Sequence, residues 1–308
     1  MSALSRSSGQ ATVLTVLFLT ALIGATAAVL DVGGWFRADR KLQANTDAAA
    51  LAGAQALPAN TGQASMLALD YGKRNGGDID SGDIAFESRV IVNDTIVIDA
   101  EKDVRGVFSG LFGLDSVEVH ARAKARTGTV ASARYVAPIV VNWKHPMLKC
   151  NPPPCPGRTT INLMDLHDPG SGNAAGSFGL INLDRADRGT AGDPILADWI
   201  LTGFDGYMEL GRYRSVPSAQ FNSSLFKNAL EHRLGRELLF PIYRTIEGAG
   251  ETAEYDVIGW VGFVPEKFDG SGAAGSLTGT FKRVIWQGIP TTRATQQAFG
   301  AYAVVLVE

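Results

Sequence analysis

The sequence is poor in cysteine and histidine. Its 308 residues include two cysteines and four histidines. A structural zinc site needs four ligands, and a two-metal catalytic centre needs several clustered histidines and carboxylates, so neither is predicted here. The sequence also lacks a G-x-S-x-G nucleophile elbow, and neither cysteine has a recognisable His/Asn pair near it. We therefore predict no catalytic residue, no metal, no cofactor and no enzymatic activity.

Positive charge is not in excess. Lys and Arg number 28 against 31 Asp and Glu, and no concentrated Lys/Arg face is visible, which excludes nucleic acid as a partner. Gly270-x-Gly272-x-x-Gly275 fits a dinucleotide fingerprint by letter, but the residues after it predict a turn and a strand rather than a helix. Asp165-Leu-His167-Asp168 has the opening letters of a metallophosphoesterase site without its later ligands. Loops explain both motifs, so no small-molecule substrate is predicted.

A long run without charged side chains lies near the amino terminus, at residues 10–30. As a helix rising about 1.5 Å per residue, it spans the roughly 30 Å hydrocarbon core of a bilayer. We predict a cytoplasmic tail at 1–9 and a transmembrane helix at 10–32, with the lipid bilayer as a partner. Arg6 favours a cytoplasmic amino terminus, whereas Arg37, Arg40 and Lys41 soon after the run oppose that orientation.

Small residues recur within this predicted helix. Ala21 and Ala25, and likewise Gly24 and Ala28, form two small-xxx-small pairs, a spacing that lets a neighbouring helix approach closely. The alternative explanation is that Ala and Gly are common in membrane helices. Asp31 follows at the exit from the bilayer, where its carboxylate either reaches headgroups and water or pairs with a partner subunit. We assign these five residues as candidate contacts with a partner helix.

Residues 33–128 predict a helix and a small ββαβ unit. Gly33-Gly34 is a point where the helix loosens, and the Ala-rich stretch to Leu57 has a thin apolar stripe that must pack tightly against its own domain or another protomer. The predicted elements after it are a helix over 63–75 with Thr61 as N-cap and Gly76 as its end, hairpin strands over 84–92 and 95–99, helical spacing over 104–114, and a strand over 117–127 with one wet face.

These residues resemble a known family. The run LDVGGWFRADRKLQANTDAAALAGAQALP, the following DYGKRNG and the succession hairpin, short helix and VEVHARA are similar to the TadE/TadG-like proteins of Flp (tight adherence) pilus assembly. The resemblance covers about residues 9–128. It implies a bacterial inner-membrane protein with one amino-terminal helix and an extracytoplasmic body, which serves a pilus or secretion apparatus as a minor pseudopilin or assembly factor. Its implied partners are other pilus-assembly membrane subunits or pilins.

Three fates of the amino terminus remain open. Ala25-Thr26-Ala27 supplies a signal-peptidase site, and a prepilin-type cut would follow Gly9. Cleavage by signal peptidase is disfavoured because the apolar run continues past Ala27 into a second helical pattern. A prepilin-type cut is disfavoured because Leu14 occupies the position where pilins typically carry Glu. A retained anchor is the favoured outcome.

The remainder predicts a linker over 129–177 and an α+β domain over 178–308. The linker carries a Pro-rich loop in which Cys150 and Cys155 most simply form a local disulfide, since zinc would find only His145 close by in sequence. The predicted elements of the domain are strands over 178–183, 238–246, 255–264, 280–289 and 302–307, and helices over 194–201 and 218–234, in a mostly antiparallel arrangement. An apolar strand over 135–143 precedes them.

Two functions are compatible with these observations. The first is a non-enzymatic, single-pass membrane protein that takes part in assembling or templating a Tad-type pilus, with its bulk extracytoplasmic. The second is a surface-tethered binding module, in which the helix only tethers and the carboxy-terminal domain recognises an external ligand or a cell-wall component.

Overall fold

The computed structural model describes residues 8–163, 179–185, 191–216, 223–248, 252–271 and 275–307. The chain divides into two compact units, Met1–Arg126 with Leu306–Glu308, and Thr127–Val305. Helices come first, and antiparallel-dominated sheets follow in the carboxy-terminal part, so the predicted α+β class is confirmed. The predicted boundaries of the tail, transmembrane helix, linker and domains stay predictions.

Helix α1 (Ser8–Ala54) is 47 residues long and runs through Gly33-Gly34 without a break. Its apolar part is long enough to cross a membrane, and only 6% of its most apolar stretch is buried inside the protein. The later part differs, because its apolar stripe is buried: Leu42, Ala49 and Ala52 are at most 3% exposed. One helix therefore has an uncovered apolar half and a half that packs into its own unit.

Helix α2 (Thr61–Asn75) packs against the buried half of α1 through small residues on both sides. Ala64, Ala68 and Gly72 are buried on α2, and the first two lie beside Gly53 of α1. The predicted end at Gly76 is confirmed, but the N-cap is Asn60 rather than Thr61. Asn60 has an extended backbone and its side chain accepts a hydrogen bond from the Gln63 N–H at 2.9 Å, the geometry of an N-cap.

Strands β1 (Ile84–Glu87), β2 (Thr95–Arg105) and the part of β3 (Ser116–Ala133) up to Arg126 form an antiparallel meander in the first unit. The hairpin is confirmed. The short helix predicted over 104–114 is wrong: β2 continues to Arg105, and only a 3₁₀ turn, Ser109–Phe112, follows. Unbroken pairing from Thr95 opposite Arg126 to Arg105 opposite Ser116 keeps the chain extended past the point where the apolar spacing predicted a helix.

The alternation of β3 is confirmed over its first half. Val119 and Ala121 are buried, whereas Glu118, His120 and Arg122 are exposed. The wet face ends earlier than predicted, because Lys124 and Arg126 are 9% and 7% exposed. The Lys124 ammonium lies 3.2 Å from a Glu87 carboxylate oxygen on β1, so its charge is paired where it is buried.

The turn between β1 and β2 is organised by a buried carboxylate. Asp94 is 0% exposed, and its two oxygens accept hydrogen bonds from the backbone N–H groups of Arg89, Val90 and Ile91 at 2.8–3.1 Å and from the Thr95 hydroxyl at 2.8 Å. Burial alone raises the pKa of this carboxyl, but the four donors outweigh it and hold the pKa below its ordinary value of 3.8.

This turn predicts a pH-dependent stability. Because the folded-state pKa of Asp94 is lowered, its contribution is complete above pH 3.8 and is lost as the pH falls through the folded-state pKa. We expect Asp94→Asn to lower the free energy of unfolding at neutral pH by about 2 kcal/mol and to flatten its acid dependence. Denaturant unfolding between pH 7 and pH 2 measures both effects. Asp70→Asn is the control, because Asp70 forms only a surface pair with Arg74; equal losses in the two variants would contradict the prediction.

The second unit is built from short and long strands with two helices. Its elements are the last part of β3, β4 (Val141–Asn142), β5 (Arg158–Asn162), α3 (Asp193–Leu201), β6 (Met208–Glu209), β7 (Gly211–Arg214), α4 (Ser224–Arg233), β8 (Leu238–Glu247), β9 (Glu254–Asp269), β10 (Ser276–Lys282), β11 (Val284–Ile285), β12 (Gly288–Pro290) and β13 (Ala301–Leu306). Among the described residues, one sheet has the order β4-β8-β9-β10-β5 with β7 beside β9. Strands β6 and β12 pair with the end of β3, and β11 pairs with β13 in parallel.

Aromatic residues of β8 and β9 form the centre of the second unit. Phe240 stacks on Phe263 with ring centroids 5.2 Å apart, and Trp260, 2% exposed, donates its indole N–H to the Val130 carbonyl at 3.0 Å. These residues belong to one continuous buried cluster, so the unit has its own core. The structure joins Cys150 and Cys155 by a disulfide with an S–S distance of 2.02 Å.

Most predicted elements of this unit are present with shifted ends. The helix over 194–201 is α3, the strands over 238–246, 255–264 and 302–307 are β8, β9 and β13, and 280–289 is divided among β10, β11 and β12. The strand predicted over 135–143 is reduced to β4 and isolated bridges at Val136 and Ile139. Within the helix predicted over 218–234, the described residues form α4. Within the strand predicted over 178–183, Leu180 and Ile181 form isolated bridges. Asp165, His167, Asp168 and Gly272 lie outside the described residues.

Candidate partner-binding site on the amino-terminal helix

Four of the five predicted contact residues lie on one uncovered face of α1. At about 100° per residue, Ala21, Gly24, Ala25 and Ala28 fall within an arc of about 100°. The three alanines are exposed, and Gly24 is half-buried. A Cβ added at Gly24 would meet no atom of the described chain within 4 Å. We call these four residues the small face; its Cβ atoms leave room for the close approach of a second helix.

Asp31 is placed differently. It is 4% exposed, and its carboxylate accepts hydrogen bonds from the backbone N–H groups of Val107, Phe108 and Ser109 at 2.7, 2.9 and 2.6 Å. Its helix neighbour Ala27, one turn earlier, is 7% exposed on the same side. Around the helix Asp31 lies only about 20° from Gly24, two turns further on. Its carboxylate is nevertheless bound by the loop between β2 and β3 of its own chain, so it is not open to a partner helix as the small face is.

The approach of this loop to α1 depends on Gly106. A Cβ at that position would lie 2.7 Å from a carboxylate oxygen of Asp31 and would also collide with the Ser109 hydroxyl. Ser109 Oγ in turn donates to the Leu114 carbonyl at 2.8 Å, which closes the 3₁₀ turn. The absence of a side chain at Gly106 is thus what lets three consecutive N–H groups reach one carboxylate.

Just beyond Asp31, α1 and β3 border a shallow cleft of about 400 Å³. Its lining combines apolar and charged side chains: Val32, Trp35, Phe36, Asp39, Glu118, Val119 and His120. Phe36 is 65% exposed, which is a large apolar side chain left in contact with solvent or lipid headgroups. The cleft extends the exposed apolar surface of α1 as far as β3.

Beside the cleft, His120 lies between two carboxylates on the wet face of the sheet. Its Nδ1 is 3.3 Å from a Glu101 oxygen and its Nε2 is 3.2 Å from a Glu118 oxygen. The three side chains are close enough to offer three ligand atoms to one ion. All are exposed, and the two contacts with His120 account for their positions as a polar cluster on the surface.

The Ala-rich stripe after the membrane exit is already occupied within the chain. Ala49 and Ala54 are 0% exposed, and a Cβ added to Gly53 would lie 2.6 Å from Ile96 Cδ1 on β2 and 2.9 Å from the Ala64 carbonyl oxygen on α2. Of the two surroundings considered for this stripe, its own domain or another protomer, the structure shows its own domain. Of the two groups of small residues in the segment 10–57, the small face is therefore the one left open to a partner.

This geometry coincides with a family match. The family model described as "Tad: Putative Flp pilus-assembly TadE/G-like" matches residues 9–56. The resemblance to TadE/TadG-like proteins is thereby confirmed over this segment. For residues 57–128 it stays a prediction. Comparisons with curated proteins and with solved structures found no match.

The TadE/G-like segment contains the whole of the uncovered part of α1 that the structure describes, and it ends two residues after α1 does. A pilus-assembly segment and one helix able to span a bilayer fit a membrane-anchored assembly factor of a Tad-related pilus. Both observations concern the same residues, so the small face lies within the part of the chain that is shared with the family.

The second unit contains a different kind of cavity. A polar cleft of about 300 Å³ is lined by three guanidinium groups, two acids, an amide and a phenol: Arg185, Arg212, Arg214, Asp184, Glu254, Asn182 and Tyr213. Burial raises the pKa of Tyr213 to about 12 although the Arg185 guanidinium 4.2 Å from its ring centroid opposes that rise. The Tyr213 hydroxyl stays protonated and donates to the Glu209 carbonyl at 2.7 Å, so it is a structural donor rather than a nucleophile.

Sequence reasoning missed the connection between α1 and the loop after β2. The apolar residues at 107, 111 and 114 were assigned to a helix, and Asp31 was assigned to a partner helix. The signal for the observed contact is the pair Gly106 and Ser109, since glycine before a short polar turn is typical of backbone N–H groups that converge on an anion. That signal does not identify which carboxylate they bind.

Proposed function

We propose that this protein is a non-enzymatic minor pseudopilin or assembly factor of a Tad/Flp-type pilus or a related secretion apparatus. In this proposal α1 holds it in the bacterial inner membrane, and both compact units are extracytoplasmic. Its partners are other membrane subunits of the apparatus or pilins, which it contacts through the small face.

The observation that carries the proposal is the contrast between the two halves of α1. In the later half Ala49, Ala52 and Ala54 are at most 3% exposed, whereas in the membrane half Ala21, Ala25 and Ala28 are exposed. Burying small residues against a neighbouring helix is a main source of affinity between helices in lipid, where the hydrophobic effect does not drive association. The TadE/G-like match over the same segment supports a pilus subunit as that neighbour.

The second candidate is the tethered binding module, and the polar cleft of the second unit is the observation that favours it. Each of the three arginines around Tyr213 lies within 4.0 Å of a carboxylate of its own chain. They suit an anionic external ligand or a cell-wall component that takes the place of those carboxylates. In that case α1 needs no specific neighbour. The two candidates therefore differ in what a change on the small face does.

The test is a bulky apolar substitution on the small face. We expect Gly24→Ile to reduce photo-crosslinking to neighbouring membrane subunits by about tenfold, the effect of losing about 1.4 kcal/mol of helix packing. The reactive residue replaces Val29, which is 71% exposed and lies beside the small face rather than in it. Ile keeps the helix apolar, so insertion into the membrane is retained. The measurement is adduct yield in intact membranes, together with the number of pili.

The matched control is Thr26→Ile. Thr26 is exposed on the opposite side of α1, and its hydroxyl donates only to the Leu22 carbonyl of the same helix, at 2.8 Å. This variant places the same isoleucine side chain on the opposite side of the same turn and leaves the small face unchanged, so its adduct yield should equal that of the wild type. Equal yields in wild type, Gly24→Ile and Thr26→Ile would refute the small-face contact and favour the tethered module.

A further inference from the structure

The loop that joins β2 and β3 presents apolar side chains to its surroundings. Residues 106–114 (GVFSGLFGL) contain no charged side chain. Val107, Leu111 and Leu114 are 80%, 82% and 56% exposed. Scattered exposed apolar residues are ordinary, but three within eight positions of an uncharged loop form a patch whose exposure to water is unfavourable. We call these three side chains the apolar tip.

Hydrogen bonds fix the backbone of the loop, so the apolar side chains of the tip stay exposed and do not fold back onto the first unit. Asp31 accepts the N–H groups of Val107, Phe108 and Ser109, and the Ser109 hydroxyl binds the Leu114 carbonyl. Gly113 has a φ of +81°, a left-handed conformation that a side chain would disfavour, and it ends the 3₁₀ turn. These bonds hold the polar backbone inward and leave the apolar side chains outward.

The anchoring point of the loop lies where the apolar part of α1 ends. From Ala11 to Leu30 the helix rises about 30 Å, the thickness of a hydrocarbon core, and Asp31 is the next residue. Val29 and Leu30, beside it, are 71% and 52% exposed. The apolar tip is thus continuous with the lipid-facing surface of the helix, at the depth of its exit from the bilayer.

We propose that the apolar tip inserts into the membrane interface and gives the first unit a second lipid contact beside α1. The inference rests on the proposed anchorage of α1 in a bilayer. A short apolar segment at this depth contacts the boundary between headgroups and acyl chains, about 5–10 Å into the membrane surface. Arg105 and Asp115 flank the segment, where charged side chains remain among headgroups and water. Two attachment points restrict how the first unit can tilt on its helix.

A lipid, rather than another protein, is favoured as the occupant by charge and position. A protein partner at the rim of a membrane protein usually meets some charged groups, and residues 106–114 offer none; the one polar side chain among them, Ser109, is buried. Phe36, 65% exposed on the same helix just after the exit, adds a further aromatic side chain of the kind that settles at the interface.

The experiment places a spin label at single introduced cysteines in the full chain, reconstituted in phosphatidylcholine vesicles with the native disulfide oxidised. The reporter is Leu111→Cys. The matched control is Val92→Cys, an apolar residue 74% exposed in the same unit but at the opposite end of β2. A label at Leu17→Cys, 61% exposed within the predicted span, reports on the anchor itself. Collision rates with O₂, which concentrates in lipid, and with a water-soluble nickel chelate are compared at each site.

The quantity compared is the ratio of O₂ collisions to nickel-chelate collisions. We expect this ratio to be several-fold higher for the label at position 111 than for the label at position 92. We expect it to remain below the ratio for the label at position 17. A water-like ratio at 111, with a lipid-like ratio at 17, overturns the inference and leaves the anchor intact. Low collision with both reagents at 111 also overturns it, because the tip is then covered by protein. A water-like ratio at 17 overturns the anchorage as well.

Discussion

Replacing Gly53 by alanine is expected to destabilise the first unit by about 1–3 kcal/mol, although alanine is the better helix former by about 1 kcal/mol. The added Cβ would lie 2.6 Å from Ile96 Cδ1 and 2.9 Å from the Ala64 carbonyl oxygen. The second of these atoms is backbone, so it can retreat only if α2 moves away from α1. Ile96 is 0% exposed, so its Cδ1 must be rearranged inside the protein and cannot turn out into solvent.

Gly33→Ala is the matched control for that substitution. Gly33 lies in the same helix, and a Cβ there would meet no atom of the described chain within 4 Å. The change should raise stability by up to about 1 kcal/mol through helix propensity alone. The two alanine variants are therefore expected to shift stability in opposite directions.

Unfolding in detergent, followed by hydrogen exchange in peptides of α2 and β2, measures the difference. If Gly53→Ala proves as stable as Gly33→Ala, the close packing of α1 against α2 and Ile96 is wrong. In that case the Ala-rich stripe would be open to another protomer, as one of the two alternatives from the sequence proposed.

Local patterns predicted the elements whose stability is local. The helical conformation of the apolar run, the end of α2 at Gly76 and the alternation of Val119 and Ala121 on β3 all appear in the structure as predicted. In each case the deciding interaction joins residues within a few positions, or depends only on which face is apolar. Such interactions can be recognised in a single sequence.

The errors arise where distant residues decide. Pairing of β2 with β3 as far as Arg105 opposite Ser116 overrode the helical spacing over 104–114, and no local signal reports that register. Lys124 is buried because Glu87, 37 positions earlier, lies beside it. Asp31 was interpreted through its neighbours in a membrane helix, but its partners are 76–78 positions later. The sequence was thus sufficient to place a candidate site on α1. It was not sufficient to predict how α1 is connected to the rest of the first unit.

That connection leads to the second large expected effect. Asp31→Ala should release the loop after β2 from α1, because three N–H groups lose their acceptor while the rest of the contact is made by small residues such as Ala27 and Gly106. Hydrogen bonds to a charged group contribute about 1.5–3 kcal/mol each, and their contributions within one cluster overlap. We expect a loss of about 3 kcal/mol of local stability, which corresponds to roughly hundredfold faster amide exchange over residues 106–114.

Asp39→Ala is the control, since it removes an exposed carboxylate from the same helix two turns later and leaves the loop contacts unchanged. Asp31→Asn adds a graded test, because the amide keeps one acceptor oxygen but turns an N–H₂ donor toward the backbone donors. The expected order of exchange over 106–114 is wild type and Asp39→Ala slowest, then Asp31→Asn, then Asp31→Ala. Identical exchange in all four proteins would mean that the loop is held by its 3₁₀ turn alone, and α1 would then join its unit only through the stripe that ends at Ala54.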